Sequence, residues 1–423
     1  MATHQVDVVV VGAGQAGLAV AYHLKALGLE AVVLERGQIG ETWRAQRWDS
    51  FVLNTPNSMN GLPGSPYAGS DPFGFMSGPE LISSFEDYVD IHGIDVRTGL
   101  EVTSVKPSEG STRFTVVCEA AEGETHVFVA NSVVVASGIL GVERIPGMSS
   151  DLDDSILQVH AGSYRRPDAL PDGAVVVVGG GQSGVQIVED LLGAGRHVYL
   201  SISKVARVPR RYRGRDFMEW WVEMGGFWDA DVDEVTDPAV IAATNPVVSG
   251  VGPVGHSISY QQLARAGVGL LGRLESIEGG KLVTDDRVLE YIEHADAFSA
   301  KVRNEIDTFI FENQLDAVEP EDDEGDQSLS PDESVEFSTS LDLKAAGVGA
   351  LIWSTGFTGD FSWLEVPVTD HNGMPVHHRG ISAVDGLYFL GFPWLAKRQS
   401  GVIYGINEDA RRLSEHIADL HKR

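Results

Sequence analysis

The residues most able to do chemistry fall in two glycine loops. Near the start, Gly12-Ala13-Gly14-Gln15-Ala16-Gly17 follows an unbroken valine run at 8–11, and Glu35 closes the next apolar run about 20 residues further on. Glycines at this spacing let a backbone close on a pyrophosphate and let the following helix pack tightly on its strand. The helix N-terminus supplies N–H donors and the positive end of its dipole. An acid at Glu35, with Arg36 beside it, suits a ribose diol. The pattern recurs as Gly179-Gly180-Gly181-Gln182-Ser183-Gly184 after the apolar run 174–178. No acid closes the strand that follows. Ser203, Lys204, Arg207, Arg210, Arg211, Arg213 and Arg215 stand there instead. Hydroxyls and bases in place of the acid favour a 2′-phosphate, so the two loops read as two dinucleotide sites, the second preferring NADPH to NADH.

Between the loops lies a dense aromatic and polar stretch, Thr42-Trp43-Arg44, Trp48-Asp49-Ser50 and Asn54-Thr55-Pro56. Trp43 and Trp48 have the size to wall in a flat ring, and Arg44 the fork to meet a phosphate or ring oxygen. Buried tryptophans anchoring a loop would read the same way. Ser137-Gly138, at the end of another apolar run, falls where a strand would deliver it beside the first loop.

The elements needed to position these residues are those of an α/β protein. Continuous β-branched runs mark strands buried on both faces of a parallel sheet. Helices are expected over 18–27, 79–92, 185–192, 291–311 and 407–421, and an antiparallel section over 101–106, 113–119 and 125–130. Strands at 132–137, 350–354 and 386–390 are expected to return to the first sheet. This gives two Rossmann-like domains, the second inserted in the first: 1–168 with 346–423 for FAD, and 169–345 for NADPH. Residues 57–74 read as a long functional loop. The segment 218–228, with Trp220, Trp221, Phe227 and Trp228, reads either as the roof of an apolar pocket or as a core helix. The acidic run 319–327 reads as a mobile loop.

Composition narrows the chemistry. Cys118 is the single cysteine, which rules out an intrachain disulfide, a multi-cysteine metal site and a redox-active cysteine pair. No metal site is expected. A formal charge of −30 makes nucleic acid and anionic membranes poor partners. No apolar run is long enough to span a bilayer, and the first strand begins without a basic leader, so a cytoplasmic protein is expected.

Taken together, the chain resembles the flavin-containing monooxygenase family, which joins FAD and NADPH domains on one polypeptide. It looks closest to a bacterial branch of flavoproteins linked by name to cation transport, and is also similar to the plant indole-pyruvate monooxygenases. Residues 12–17, Thr42-Trp43-Arg44, Trp48-Asp49-Ser50, Asn54-Thr55-Pro56, 179–184 and Ser354-Thr355-Gly356-Phe357 carry the resemblance over nearly the whole chain. It implies hydride transfer from NADPH to FAD, a C4a-hydroperoxyflavin formed with O2, and oxygen transfer to a small amine or sulfide. Asn57 would hydrogen-bond the peroxide or serve as a turn residue, and Thr355, Gly356 and Phe357 would contact cofactor. Baeyer–Villiger oxygenation, a flavin reductase or oxidase, and a non-enzymatic flavin or NADPH sensor are the rival readings. The family pattern Phe-x-Gly-x-x-x-His-x-x-x-Tyr is half present: His160 and Tyr164 match, while Asp154 and Ile156 replace Phe and Gly. His160 is therefore expected to hold the inter-domain linker ahead of moving protons. A homodimer is left open.

Overall fold

The computed structural model describes residues 3–111, 113–226, 228–242, 247–251, 255–329 and 337–422. In chain order its main elements are β1 (Thr3–Val11), α1 (Gln15–Ala26), β2 (Ala31–Leu34), α2 (Glu41–Ala45), α3 (Gly78–His92), β3 (Val96–Arg97), β4 (Leu100–Pro107), β5 (Phe114–Ala120), β6 (Thr125–Val135), β7 (Leu157–His160), β8 (Ala174–Val178), α4 (Gln182–Gly193), β9 (Val198–Ser201), α5 (Phe217–Met224), β10 (Gly269–Leu271), α6 (Val288–Asn313), β11 (Phe337–Ser338), β12 (Val348–Trp353), β13 (Leu387–Phe389) and α7 (Ile406–His421).

Two sheets follow from these runs. The first is ordered β3-β2-β1-β6-β5-β4, with β13 also paired to β6. Its β1, β2, β3, β6 and β13 are mutually parallel, whereas β4, β5 and β6 form an antiparallel meander. The second is ordered β11-β10-β9-β8-β12-β7, and every pairing in it is parallel. The valines at 8–11 of β1 and those of β8 are almost wholly excluded from solvent, as strands covered on both faces must be. One apolar core includes residues of both sheets, and α1 packs directly on α7.

Three expectations change. The strands expected at 125–130 and 132–137 are one strand, β6. Its first half pairs with β5 and its length with β1, so the meander belongs to the first sheet. The strand expected at 350–354 does not return to that sheet: β12 lies between β8 and β7 of the second, with Trp353 opposite Val178 and His160. Sheet membership therefore changes near 157 and again after 353. Residues 386–390 do return to the first sheet, as β13. The acidic run 319–327 is tied down, because Asp326 pairs with Arg207 and Arg303 and the Gln327 carbonyl accepts from Arg265. Of the two readings for 218–228, the core helix holds: Trp220 is buried and donates to the Tyr212 carbonyl at 2.8 Å, and Trp221 stacks on Trp228. Phe227 lies outside the described residues.

Candidate dinucleotide sites

A cavity of about 400 Å³ opens at the C-terminal ends of β1, β2 and β6, the end where open α/β sheets bind ligands. Gly12, Gly14, Gln15, Ala16, Glu35, Arg36, Thr42, Trp43, Ser137 and Gly138 all line it. The glycines divide their work. Gly12 has φ +105, and a Cβ there would lie 2.7 Å from the Ala136 carbonyl oxygen; one on Gly17 would lie 1.8 Å from the Gly12 oxygen. Gly14, with no atom within 4 Å of a Cβ position, faces open cavity. Glu35 is buried and braces the loop, its two oxygens accepting from the Ala13 and Gly37 backbone N–H groups at 2.8 and 2.9 Å. A carboxylate has about four lone-pair sites, so two remain for a ribose diol. These residues fit a dinucleotide: an open cradle at Gly14, a helix N-terminus, and a carboxylate at ribose distance along the chain.

Trp43 forms part of the wall and donates its indole N–H to the Gln15 side chain at 3.1 Å. Two neighbours expected beside it are elsewhere. Arg44 lies on the surface, donating to the Ile39 carbonyl and paired with Glu86. Trp48 is 5 % exposed and packs edge-on to Phe51 in the core. Leu100, Glu101, Val102, Asp360 and Trp363 also line the cavity and were not anticipated. Leu100 is placed by its N–H to the Glu35 carbonyl and Trp363 by pairing of β4 with the 363–365 segment, long-range contacts with no local signature.

The second loop copies the first. Gly179 has φ +114, and a Cβ on it would meet the Ser354 oxygen at 2.3 Å; one on Gly184 would meet the Gly179 oxygen at 1.9 Å; Gly181 is open. Gln182 opens α4, while Ser183 is exposed on its first turn. The Gln182 amide bonds both backbone groups of Ser249 and reaches Oδ1 of Asn54 at 3.2 Å, so the second loop faces the first half of the chain. Thr55 and Asn60 bond each other, which fixes the turn below Asn54.

The arginine cluster is not a phosphate site. Arg207 is buried against Asp296 of α6, Ser299 and Asp326. Arg210 has no solvent exposure and binds Asp216 through Nε and Nη2 at 2.8 and 2.6 Å. Arg211 donates to the Phe73 carbonyl at 3.1 Å, Arg213 pairs with Asp307 and Arg215 with Glu223. Of the expected set, half-buried Ser203 and exposed Lys204 remain at the end of β9.

Of the two roles expected for Asn57, the turn is the one seen: its amide donates to the Asp71 carbonyl at 2.9 Å, and it is buried in a short turn away from the cavity wall. His160 ties residues 160–162 to the 355–357 segment. Its Nε2 donates to the Gly356 carbonyl at 3.0 Å and its Nδ1 accepts from the Gly162 N–H at 3.1 Å, a neutral tautomer fixed by its partners. Thr355, Gly356 and Phe357 belong to this junction rather than to the cavity: Thr355 donates to the Arg144 carbonyl, Phe357 packs on His160, and residues 357–358 pair with 142–143.

Burial depresses the His160 pKa below 6.5, a fall only partly offset by Glu143. The unfolded chain then binds a proton that the folded chain refuses, so this contribution to stability is present above pH 6.5 and fades as the pH falls below it. H160Q, which keeps one donor and one acceptor, is expected to flatten the fall in melting temperature between about pH 7.5 and about pH 5.5. An unchanged slope would refute this.

Comparisons with known proteins bear on the whole chain. Residues 9–214 match the pyridine nucleotide-disulphide oxidoreductase family. A CzcO-like oxidoreductase of Geobacillus kaustophilus is 31% identical over 98% of this chain and 99% of its own. The chain belongs to the CzcO-like oxidoreductases. A probable indole-3-pyruvate monooxygenase of Arabidopsis thaliana, YUCCA10, is 32% identical over 48% of this chain and 52% of its own. In fold, the chain is similar to a flavin-containing monooxygenase of Stenotrophomonas maltophilia, with TM-score 0.67 at 20% identity over 99% of both chains. FAD and NADPH are the cofactors that this membership implies. No helix among the described residues is long and apolar enough to cross a membrane, and no group of three or more potential metal ligands occurs among them.

Proposed function

We propose that the chain is an FAD- and NADPH-dependent monooxygenase that adds one oxygen atom of O2 to a small amine or sulfide. The observation that carries this reading is the Gln182–Asn54 contact, which brings the second glycine loop against the half of the chain that holds the cavity. Bound FAD would accept hydride and activate O2. The chain's own residues would hold and shelter it: Gly14 and Glu35 at the pyrophosphate and ribose, with Trp43 and Trp363 excluding water beside them. The FAD domain is read as discontinuous, its sheet completed by β13.

For NADPH, Ser203 and Lys204 are the groups left to meet the 2′-phosphate. K204A is expected to raise KM for NADPH about 10-fold and to leave that for NADH unchanged, because one charge-assisted contact is lost only with the phosphorylated cofactor. Equal effects on both cofactors would reject the assignment.

A reductase or oxidase without oxygen insertion is the second reading. It is favoured by the absence of Phe and Gly at 154 and 156 and by the use of both His160 nitrogens in structural hydrogen bonds. Stopped-flow mixing of NADPH-reduced holoenzyme with O2 separates the two. A lasting near-ultraviolet band distinct from oxidised and reduced FAD supports oxygen transfer. Immediate return of oxidised FAD with stoichiometric H2O2 supports the second reading.

A further inference from the structure

Helix α4 opens at the second glycine loop, and one of its faces bonds the segment 50–54 at three successive turns. Gln182, Gln186 and Asp190 stand four residues apart, so they share that face. The Gln182 amide donates to Oδ1 of Asn54 at 3.2 Å and the Gln186 amide to the Val52 carbonyl at 3.4 Å. Asp190 Oδ1 accepts from the Ser50 hydroxyl at 2.6 Å. The partners are alternate residues, met in reverse order. Four helical residues rise about 6.0 Å, and two extended residues advance about 6.6 Å. Helix and segment therefore run antiparallel and in step.

Both sides of this contact are held from behind. The Phe51 carbonyl accepts from the Gly78 N–H at 3.3 Å and the Leu53 N–H donates to the Met76 carbonyl at 2.9 Å, which fixes the segment at the start of α3. The second oxygen of Asp190 accepts from the hydroxyl of buried Tyr164 at 2.6 Å, in the turn that follows β7. Two sequence motifs that the cofactor cavity leaves without a role thus meet on one carboxylate. Ser50 ends the Trp48-Asp49-Ser50 stretch, and Tyr164 ends the half-present His160 pattern. The segment also follows directly on Thr42 and Trp43, which line the cavity. Sliding α4 along it would break three contacts together and would meet no equivalent partners within about 6.6 Å.

We propose that Asp190 is a positioning residue for hydride transfer. With Gln182 and Gln186 it sets the register of α4 against residues 50–54, and thereby the spacing of the two dinucleotide sites. In that step a hydrogen leaves NADPH with its electron pair, so NADPH is oxidised to NADP+ and FAD is reduced; Asp190 exchanges neither proton nor electron. The proposal rests on the FAD- and NADPH-dependent reading of the chain and not on oxygen transfer.

The first arm of the test involves no turnover. In oxidised, FAD-loaded protein without NADPH, S50A and D190A are each expected to lower the melting temperature. S50A should lower it no further in the D190A background, as residues in direct contact behave. Full additivity would overturn the contact and the proposal with it. The second arm is anaerobic stopped-flow reduction of bound FAD over a range of NADPH concentrations, which separates the limiting rate from the dissociation constant. S50A is expected to lower the limiting rate about 10-fold and D190A about 100-fold, since a misplacement of about 1 Å costs up to that much. The dissociation constant for NADPH should hold, because the loop 179–184 is intact, and so should reduction by dithionite, which needs no second site. S50T keeps the hydroxyl and should restore the rate lost in S50A. Unchanged limiting rates, or losses confined to FAD content or NADPH affinity, would overturn the proposal and leave the NADPH reading standing. A wild-type protein whose FAD is not reduced by NADPH would remove both.

Discussion

Replacing Gly17 by alanine is expected to give a protein that purifies without FAD and melts well below the wild type. The cause is backbone overlap. A Cβ on Gly17 would lie 1.8 Å from the Gly12 oxygen, 3.0 Å from its carbon and 3.4 Å from Val10 Cγ1. Real contacts of this kind stay at or beyond 3.0 Å, so α1 must move off β1 by more than 1 Å. That movement disturbs the contact of α1 with α7 and opens a core that includes Leu18, Val20 and Leu24. Overpacking of this kind typically costs about 1–3 kcal/mol, and the N–H donors of the loop would lose their aim. G14A is the control. Its Cβ meets no protein atom within 4 Å but enters the cavity. It should therefore leave the melting temperature of the apoprotein unchanged while weakening FAD binding by about 100-fold or more, roughly 2.7 kcal/mol. Flavin absorbance of the purified proteins and melting curves with and without FAD test both. A G17A protein as yellow and as stable as the wild type would show that the strand–helix contact tolerates a side chain.

What the sequence revealed and what it concealed divide along the range of the interactions. The two strand–glycine–helix units were legible because their constraint is local: Gly12 and Gly179 need positive φ, and Gly17 and Gly184 need close approach to a residue five positions back. Glu35 was legible for the same reason. The sheet to which β12 belongs was not, because a Val/Ile/Leu run buried on both faces reads alike in either parallel sheet, and its partners Val178 and His160 are distant in sequence. The arginine cluster was misread because residue type gives charge but not partner. The carboxylates that neutralise Arg207 and Arg213 come from α6 and from Asp326, roughly a hundred residues later. Trp43 and Trp48, five residues apart and chemically alike, part company because α2 ends at Ala45: one lines the cavity and the other enters the core. Trp363 reaches the cavity only through pairing of its segment with β4.

That neutralised cluster leads to the second large effect. D216A is expected to lose about 3–5 kcal/mol of stability, the range for breaking a buried pair by removing one partner. Arg210 and Asp216 are both fully excluded from water, and the guanidinium is held between Phe75 and Phe217, 4.5 and 4.9 Å from their centroids. Burial already pulls the Arg210 pKa down, and Asp216 opposes that pull. Removing the carboxylate leaves a charge with no water to stabilise it. The same substitution removes the cap of α5, where Asp216 accepts from the Met218 N–H at 2.9 Å. The consequences reach the candidate site, because Arg210 also donates from Nη1 to the Asn54 carbonyl at 2.9 Å and to Ser249 at 3.2 Å, the two residues that hold Gln182. R210M should cost a similar amount through the orphaned carboxylate. The double variant R210M/D216L should cost much less than the two single losses combined, since neither charge is then stranded. Denaturant titration of the three variants measures each loss. A D216A loss below about 1 kcal/mol would mean that water reaches Arg210 in the variant and that the second loop is held by Gln182 and Ser249 alone.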